Sequence, residues 1–137
     1  MSMHEAPTTQ IHVIAAVIRR DGKFLVCQRP PDKRHGNLWE FPGGKLEPGE
    51  SCLDAAQREL CEELTLEVIE IGEIRFKSQD PGSDFVVNFV DVVAQGVPKP
   101  MEHISVGWYA AEELLTLALA PSDRQFAEFL VRESLYA

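Results

Sequence analysis

Two hydrophobic patterns divide the chain, and the first is typical of β-strands. Branched apolar residues run almost without interruption over 11–18, and a turn at Asp21-Gly22 separates them from a second apolar run over 24–27. Apolar runs joined by an Asp-Gly turn predict a β-hairpin with a buried first strand. A second hairpin is predicted around the turn at 80–84. The further predicted strands cover 68–79, 85–94 and 106–109.

The second pattern has helical spacing. Ser51, with Asp54 three residues later, resembles the start of a helix with a capping box, and this helix is predicted over about 51–64. Its apolar face consists of Leu53, Ala56, Leu60 and Leu64. A short helix is predicted over 111–115, and Ser122 with Gln125 is predicted to cap a final helix. The apolar residues of that helix are Phe126, Phe129, Leu130 and Leu135.

Strands interleaved with helices predict the α/β class, with a mixed β-sheet and helices packed on its faces. The 137 residues suit one domain, which we expect to cover 11–137 after a flexible polar segment at 1–10. No run approaches 18 apolar residues, and the first ten residues have no signal-peptide core. We therefore expect a cytoplasmic protein without a membrane partner.

The net charge of the chain limits the kinds of partner that it can bind. It has 13 Lys and Arg against 22 Asp and Glu, a formal net charge of -9. This balance argues against a nucleic-acid polymer, which needs a basic face. A small anionic ligand would have to be met by bound cations and a few placed basic side chains. Three cysteines, Cys27, Cys52 and Cys61, form no metal-binding pair, and we interpret them as packing residues.

Glutamates crowd the predicted helix at 51–64. Glu59, Glu62 and Glu63 fall within an arc of about 100° that borders the leucine face. Like charges at this spacing repel each other by a few tenths of a kcal/mol per pair, and a hard divalent cation such as Mg²⁺ would offset the repulsion. A solvated acidic helix face is the alternative.

The segment 44–66 resembles the Nudix signature G-x5-E-x7-R-E-U-x-E-E-x-G-U, in which U is a bulky aliphatic residue. The matching positions are Gly44, Glu50, Arg58, Glu59, Leu60, Glu62, Glu63 and Leu66. Thr65 departs from the pattern, because it stands where the family usually has the glycine that ends the helix. A β-branched residue is poor in the left-handed conformation of such a cap, so we expect a differently shaped helix end.

The similarity extends over about 13–130. The sequences WEFPGGKLEPGES, Gln28-Arg29-Pro30 and LAPSDRQF resemble the MutT-like branch of the Nudix hydrolases, including its 8-oxo-dGTP and CTP pyrophosphohydrolases. The resemblance implies the Nudix fold, an α/β/α sandwich. It also implies Mg²⁺-dependent cleavage of a (deoxy)nucleoside triphosphate to monophosphate and pyrophosphate, with Mn²⁺ as a substitute metal, in a monomer or homodimer. The biological role would be nucleotide-pool sanitation or pyrimidine triphosphate turnover.

Two alternatives to this activity stay open. One is hydrolysis of a nucleoside diphosphate sugar or a dinucleoside polyphosphate, against which the compact length of the chain speaks mildly. The other is a non-catalytic Nudix domain that senses a nucleotide, although every acid of the signature is present.

The resemblance also implies roles for the acidic residues. The metal ligands would be Gly43 through its carbonyl, together with Glu59, Glu62, Glu63 and Glu102. Arg58 would orient a glutamate, with Glu50 supporting the cluster, and either Glu59 or Glu102 would take the proton of the attacking water. The alternatives are an ordinary turn for Gly43, a surface arginine for Arg58 and a solvated loop acid for Glu102. His103 is interpreted as a loop residue.

Substrate contacts are implied in the same way. Arg29 and Gly44 would lie at the phosphates, and Lys45, Arg34 or His35 would add positive charge there, with surface solubility as the alternative for these three. Phe41 would line a base pocket, whereas we expect Trp39 to pack.

Asp123 bears on the choice of base. It occupies a position where members of the branch that cleave 8-oxo-dGTP carry asparagine and cytosine-preferring members carry aspartate. A carboxylate would accept a hydrogen bond from the cytosine amino group. The alternative is an acid that stabilises the start of the final helix.

Overall fold

The computed structural model describes residues 10–79 and 82–135. Residues 1–9 of the predicted flexible segment and two residues of the turn at 80–84 lie outside this part of the chain. In order, the elements are β1 (Ile11–Val17), β2 (Arg19–Arg20), β3 (Lys23–Gln28), β4 (Trp39–Glu40), β5 (Gly43–Lys45), α1 (Cys52–Leu64), β6 (Glu67–Ser78), β7 (Phe85–Gln95), β8 (Ser105–Tyr109), α2 (Ala111–Leu114) and α3 (Pro121–Leu135).

The larger sheet has the strand order β5-β1-β7-β6. Its two central strands, β1 and β7, run parallel, whereas β5 and β6 pair antiparallel at the edges. The sheet is therefore mixed, which confirms the predicted α/β class. The predicted hairpin of β6 and β7 is also present.

A smaller antiparallel sheet contains β2, β3 and β4, with β8 on the other side of β3. The predicted first hairpin is wrong in its pairing, because β1 pairs with β5 and β7 and only β2 pairs with β3. The turn itself forms at Asp21 and Gly22, which have φ values of 52° and 76°. Hydrophobicity does not mark the change of sheet near Ile18, since the apolar run continues across it.

Two hydrophobic cores lie on opposite faces of the larger sheet. On one face Ala15 and Phe89 pack against Phe126 of α3, and the Phe89 and Phe126 rings stack with centroids 4.4 Å apart. On the other face Ala16 packs with Leu60 of α1. The result is the α/β/α sandwich. Successive residues of β1 face opposite sides of the sheet, one side covered by α3 and the other by α1.

Helix α1 begins as predicted, since Ser51 Oγ accepts a hydrogen bond of 3.1 Å from the Asp54 backbone N–H. The predicted apolar face is wrong at Leu53, which is 37% exposed. Leu53 is the second residue of a helix whose buried residues begin at Ala55.

The expectation of an altered end of α1 is also wrong. Thr65 adopts the left-handed conformation, with φ 56° and ψ 31°. The Thr65 N–H donates to Cys61 O at 3.1 Å, and the Leu66 N–H donates to Leu60 O at 3.2 Å. These two bonds, with the burial of Leu66, hold the geometry that glycine usually supplies. For a residue with a Cβ the left-handed conformation costs roughly 1–2 kcal/mol.

Helix α3 begins at Pro121, one residue before the predicted cap at Ser122. Proline favours the first helical position because its fixed φ suits the helix and its missing N–H would have no partner there. Ser122 is instead a buried residue of the first turn, and the Gln125 side chain accepts a 2.7 Å hydrogen bond from Ser78 Oγ. The Ala120 N–H donates to Trp39 O at 2.9 Å, which ties the start of α3 to β4.

The cysteines differ in their surroundings. Cys27 is buried, Cys52 is half-buried and Cys61 is exposed, so the packing role predicted for Cys61 is wrong. No helix in residues 10–79 or 82–135 has the length and apolar character needed to cross a membrane.

Candidate active site

Arg58 organises the acidic residues of α1. Its guanidinium makes two hydrogen bonds to the Glu50 carboxylate, from Nε at 2.8 Å and from Nη2 at 2.9 Å. Nη1 donates to Glu59 Oε1 at 2.6 Å, and Nη2 also reaches Lys45 O at 3.1 Å. Arg58 therefore fixes the Glu59 carboxylate and anchors the segment 45–50 to the helix.

The same contacts shift two pKa values. Hydrogen bonds from Arg58, and then from the Glu47 backbone N–H, lower the pKa of Glu50 to about 2. Hydrogen bonds to Glu50 and Glu59 raise the pKa of Arg58 above its usual range. Both groups are therefore charged at neutral pH, as a fixed charge-assisted pair requires.

Two glycines let β5 approach the helix and β1. A Cβ at Gly44 would lie 2.4 Å from Cδ of Glu59, and a Cβ at Gly43 would lie 1.8 Å from Ile14 O. Any larger side chain at position 44 would have to displace the Glu59 carboxylate. The Gly-Gly pair thus brings the β5 backbone against an acid of α1.

Glu63 is the buried acid of the cluster, with 4% exposure. Burial, followed by the hydrogen bond and the charge of the neighbouring Glu59, raises the pKa of Glu63 well above its usual range. Its Oε2 atom has no hydrogen-bond partner in the described part of the chain. The Met101 N–H donates to Glu63 O at 2.9 Å, which brings the loop carrying Glu102 beside the cluster. The charge of Glu102 also raises the pKa of Glu63.

The acids fit a divalent cation, although they do not form a finished chelate. Within residues 10–79 and 82–135, no group of three or more His, Cys, Asp or Glu side chains is arranged to hold an ion. Glu62 is 55% exposed on its side chain and lies 4.0 Å from Arg58 Nη1. A buried carboxylate next to further carboxylates is nonetheless costly unless it takes up a proton or a cation approaches it. Oxygen donors of this kind suit Mg²⁺ or Mn²⁺.

A second polar network starts at Glu40, a residue that lies outside the signature at 44–66. Its carboxylate accepts a hydrogen bond from Arg29 Nη1 at 3.2 Å, and Glu40 Oε2 lies 3.0 Å from His103 Nε2. The His103 Nδ1 atom lies 3.8 Å from Glu63 Oε1. His103 does lie in a loop, as predicted, but its side chain is buried between two carboxylates.

A cavity of about 300 Å³ lies beside this network. Its basic wall consists of Arg29, Arg34, His35 and Lys45, and its apolar wall includes Val13, Ala15, Phe85 and Val87. Gly43 and Gly44 of β5 line it as well. Lys45 Nζ lies 5.2 Å from the centroid of the Phe85 ring, at one side of the cavity. A pocket with apolar walls and a few basic groups suits an anionic ligand that carries a flat ring.

Asp123 and Phe41 also line the cavity. Asp123 is buried, and its Oδ1 accepts a 2.8 Å hydrogen bond from the Phe41 backbone N–H. The Phe41 ring itself belongs to the core, since it packs edge-on against Phe126 with centroids 5.2 Å apart. Trp39 packs edge-on against Tyr109 at 5.8 Å, as expected.

Other site residues were missed for identifiable reasons. Val13 and Val87 face the cavity because they are paired neighbours on the central strands, and this pairing was not expected. Phe85 is the first residue of β7, a position that strand periodicity alone does not connect with a ligand. Glu40 stands between two aromatic residues and lies outside the signature at 44–66, so the sequence assigns it no role.

The comparisons with known proteins agree with this geometry. The model of the NUDIX domain family matches residues 8–130. The CTP pyrophosphohydrolase of Escherichia coli K12 is 41% identical over 119 residues, which cover 82% of this chain and 85% of that protein. The putative 8-oxo-dGTP diphosphatase 2 of Mycobacterium tuberculosis H37Rv is 32% identical over 127 residues, covering 88% of this chain and 87% of that protein.

A solved structure supports the same assignment. The MutT Nudix hydrolase of Burkholderia pseudomallei is 26% identical and superposes with a TM-score of 0.76 over 87% of this chain and 96% of its own. This chain therefore belongs to the Nudix family. It is a MutT-like Nudix hydrolase that acts on nucleotides. The predicted family, fold and enzyme class are confirmed.

Proposed function

We propose that this Nudix hydrolase is a divalent-cation-dependent pyrophosphohydrolase of (deoxy)nucleoside triphosphates, with a cytidine-type or oxidised base. The products are the monophosphate and pyrophosphate, and the role is nucleotide-pool sanitation. One observation carries the proposal: Glu63 has a buried carboxylate oxygen with no hydrogen-bond partner among residues 10–79 and 82–135, and it belongs to an acidic cluster whose Glu59 contacts Gly44, which also lines the cavity of about 300 Å³. Such a cluster suits a cation, and the adjoining cavity suits a nucleotide.

Different residues of the chain have different roles in the reaction. Water attacks a phosphorus atom of the triphosphate, the bond to the leaving pyrophosphate breaks, and Glu59 or Glu102 accepts the proton of the water. Arg58 keeps Glu59 in place through the 2.6 Å hydrogen bond. Mg²⁺, or Mn²⁺ in its place, neutralises charge on the phosphate oxygens when it is bound. Gly43, Glu59, Glu62, Glu63 and Glu102 are the residues that would hold it.

The cavity supports the choice of substrate. Arg29 and Lys45 supply positive charge for the phosphates, because they line the cavity on its β3 and β5 sides. Asp123 offers a carboxylate in a buried wall, which suits the amino group of cytosine. The E. coli relative that shares 41% of the aligned residues is a CTP pyrophosphohydrolase, and this supports the same base.

The test is pyrophosphate release from CTP, dCTP, 5-methyl-dCTP and 8-oxo-dGTP, ranked by kcat/KM in Mg²⁺ and in EDTA. We expect activity only with the cation, and a loss of about 10²–10⁴ in kcat for Glu59→Gln if Glu59 is the base. Glu128→Gln, an exposed acid of α3, is the control. Asp123→Asn keeps the Oδ1 acceptor for Phe41 and should lower the rank of the cytosine nucleotides. Pyrophosphate release that is equal in EDTA would refute the proposal.

A further inference from the structure

His103 is a buried histidine that lies between two carboxylates. Its side chain is 6% exposed, with Nε2 at 3.0 Å from Glu40 Oε2 and Nδ1 at 3.8 Å from Glu63 Oε1. Within the part of the chain that the structure describes, Nδ1 has no hydrogen-bond partner. If His103 only filled space in the loop, each of its ring nitrogens would be expected to be hydrogen-bonded or exposed to solvent.

The histidine connects the acidic cluster to the cavity. Glu40 lies on β4 and holds Arg29 at 3.2 Å, while Arg29 lines the cavity beyond it. The Arg29 Nε atom donates to Arg34 O at 2.7 Å, so this guanidinium is fixed on two sides. The contacts therefore run without a gap larger than 3.8 Å from Glu63 through His103 and Glu40 to Arg29.

The backbone keeps His103 in this place. The Met101 N–H donates to Glu63 O at 2.9 Å, and the Ile104 N–H donates to Gln28 O at 3.0 Å. One of these bonds attaches the loop to α1 and the other attaches it to β3. A loop tied on both sides of the histidine limits how far the ring can move away from either carboxylate.

The two oxygens of Glu63 have different surroundings. Oε1 faces His103 Nδ1, whereas Oε2 is buried without a partner in residues 10–79 and 82–135. The Nδ1 to Oε1 distance exceeds a normal hydrogen bond by less than about 1 Å. Oε1 therefore faces the histidine ring, and Oε2 is the oxygen left for a cation.

We propose that His103 is a positioning residue that fixes the orientation of Glu63 for the cation and, through Glu40, couples the cation site to Arg29 in the cavity. This inference rests on the proposed function, since it needs both a cation and a phosphate-bearing ligand. Hydrogen-bonded groups behind a metal ligand commonly change metal affinity by about 10- to 100-fold. The coupling makes nucleotide binding tighter when the cation is present, and the reverse follows by linkage.

Two substitutions separate the contacts of His103. His103→Gln keeps a donor near the position of Nε2 for Glu40 and loses the group that faces Glu63. His103→Asn keeps a polar group near the position of Nδ1 for Glu63 and loses the bond to Glu40. Ile104→Gln is the matched control in the same loop, because the Ile104 side chain is exposed and only its backbone makes the bond to Gln28.

The first measurement is Mn²⁺ affinity without nucleotide, by calorimetry on the full chain. We expect His103→Gln to weaken Mn²⁺ binding about tenfold and His103→Asn to weaken it much less. The second measurement is the affinity for a CTP analogue with a methylene group between the α and β phosphorus atoms, with and without Mg²⁺. The factor by which Mg²⁺ tightens analogue binding should fall in both variants, and Ile104→Gln should match the wild type in both measurements.

The outcomes distinguish this inference from the proposed function. If the wild type binds no Mn²⁺, both fail. Suppose instead that the wild type binds Mn²⁺ and cleaves CTP. If His103→Gln then has wild-type Mn²⁺ affinity, and Mg²⁺ tightens its binding of the analogue by the same factor as in the wild type, only the role of His103 is refuted. Thermal unfolding in EDTA checks that each variant is folded. If His103→Gln does not fold, Glu40→Gln takes its place: it should lower the Mg²⁺ factor, and an unchanged factor would refute the coupling.

Discussion

The two faces of the larger sheet satisfy their polar groups in different ways. On the face covered by α3, Ser78 Oγ donates to Gln125 at 2.7 Å, and Asp123 Oδ1 accepts from Phe41 N–H at 2.8 Å, next to an aromatic core. On the face covered by α1, Glu63 is equally buried but keeps an oxygen without a partner in the described residues. The polar groups named on the first face have protein partners, whereas the buried carboxylate on the second has a cost that a cation would remove.

The α3 face therefore contributes mainly to the stability of the fold, and the α1 face mainly to the chemistry of the site. Aromatic packing and satisfied hydrogen bonds on the α3 face contribute to the free energy of unfolding. The burial and crowding of carboxylates on the α1 face lower it, and the same cluster of oxygen donors suits a cation. Residues from both faces line the cavity, since Asp123 lies near α3 and Gly44 lies next to Glu59.

Phe126→Ala tests whether the α3 face carries the stability. The Phe126 ring is fully buried and packs against Phe89 and Phe41. The substitution should lower the free energy of unfolding by about 3–5 kcal/mol, measured by urea denaturation. Phe129→Ala, at the half-buried edge of the same aromatic group, should cost less. The Mn²⁺ affinity of the folded variant should stay at the wild-type value, and a parallel loss of affinity would show that the faces are not separable.

Gly44→Ala tests the α1 face through its geometry. The added Cβ would lie 2.4 Å from Cδ of Glu59 and would push the carboxylate out of its hydrogen bond with Arg58. A displacement of about 1 Å in a catalytic group commonly costs about 10²-fold, so kcat should fall by that factor. Gly49→Ala is the control, because a Cβ there meets no atom within 4 Å, although φ is +80°. It should reduce stability but leave kcat unchanged. Equal kcat values for both variants would contradict the role of Gly44.

Glu63→Gln tests whether burying the Glu63 carboxylate has a cost that a cation removes. For the wild type, Mg²⁺ at 100 times its Kd should raise the free energy of unfolding by about 2.7 kcal/mol. The variant should lose most of this increment, and in EDTA it should be at least as stable as the wild type, because burial disfavours the charged form of the Glu63 carboxyl and a neutral amide carries no such cost. Urea denaturation with and without Mg²⁺ measures both quantities. A variant clearly less stable than the wild type in EDTA would mean that the carboxylate contributes to folding by itself.

The sequence predicted the elements better than their partners. Helix α1, the β6–β7 hairpin and the short helix α2 follow from local periodicity and capping residues. The partner of β1 does not, because a strand buried on both faces reads as one apolar run whether or not it changes sheet. In the same way, Pro121 rather than Ser122 begins α3, since both residues suit a helix start and the hydrogen bond from the Ala120 N–H to Trp39 O favours the earlier one.

Some residues of the candidate site were also predictable from the sequence, and others were not. Glu59, Glu63, Arg58 and Gly44 stand in one segment, so their spacing already indicated a cation site. Glu40 and His103 are 63 residues apart in the chain and meet only when β4 and the loop before β8 come together. Neither has a sequence signal of its own, because a glutamate between aromatic residues and a histidine in a loop are both ordinary.

Thr65→Gly addresses the end of α1, where the smallest effect is expected. Thr65 holds a left-handed conformation, which glycine adopts without the Cβ penalty of roughly 1–2 kcal/mol. Glycine also loses more entropy on folding, so the net gain in the free energy of unfolding should be about 0.5–1 kcal/mol, measured by urea denaturation. Thr65→Ala keeps the Cβ and serves as the control, with little gain expected. Because the hydrogen bonds to Cys61 O and Leu60 O are made by backbone, kcat should not change. If the glycine variant proved less stable than the wild type, the Thr65 side chain, whose Oγ1 donates to Leu64 O at 2.5 Å, would be stabilising the turn rather than straining it.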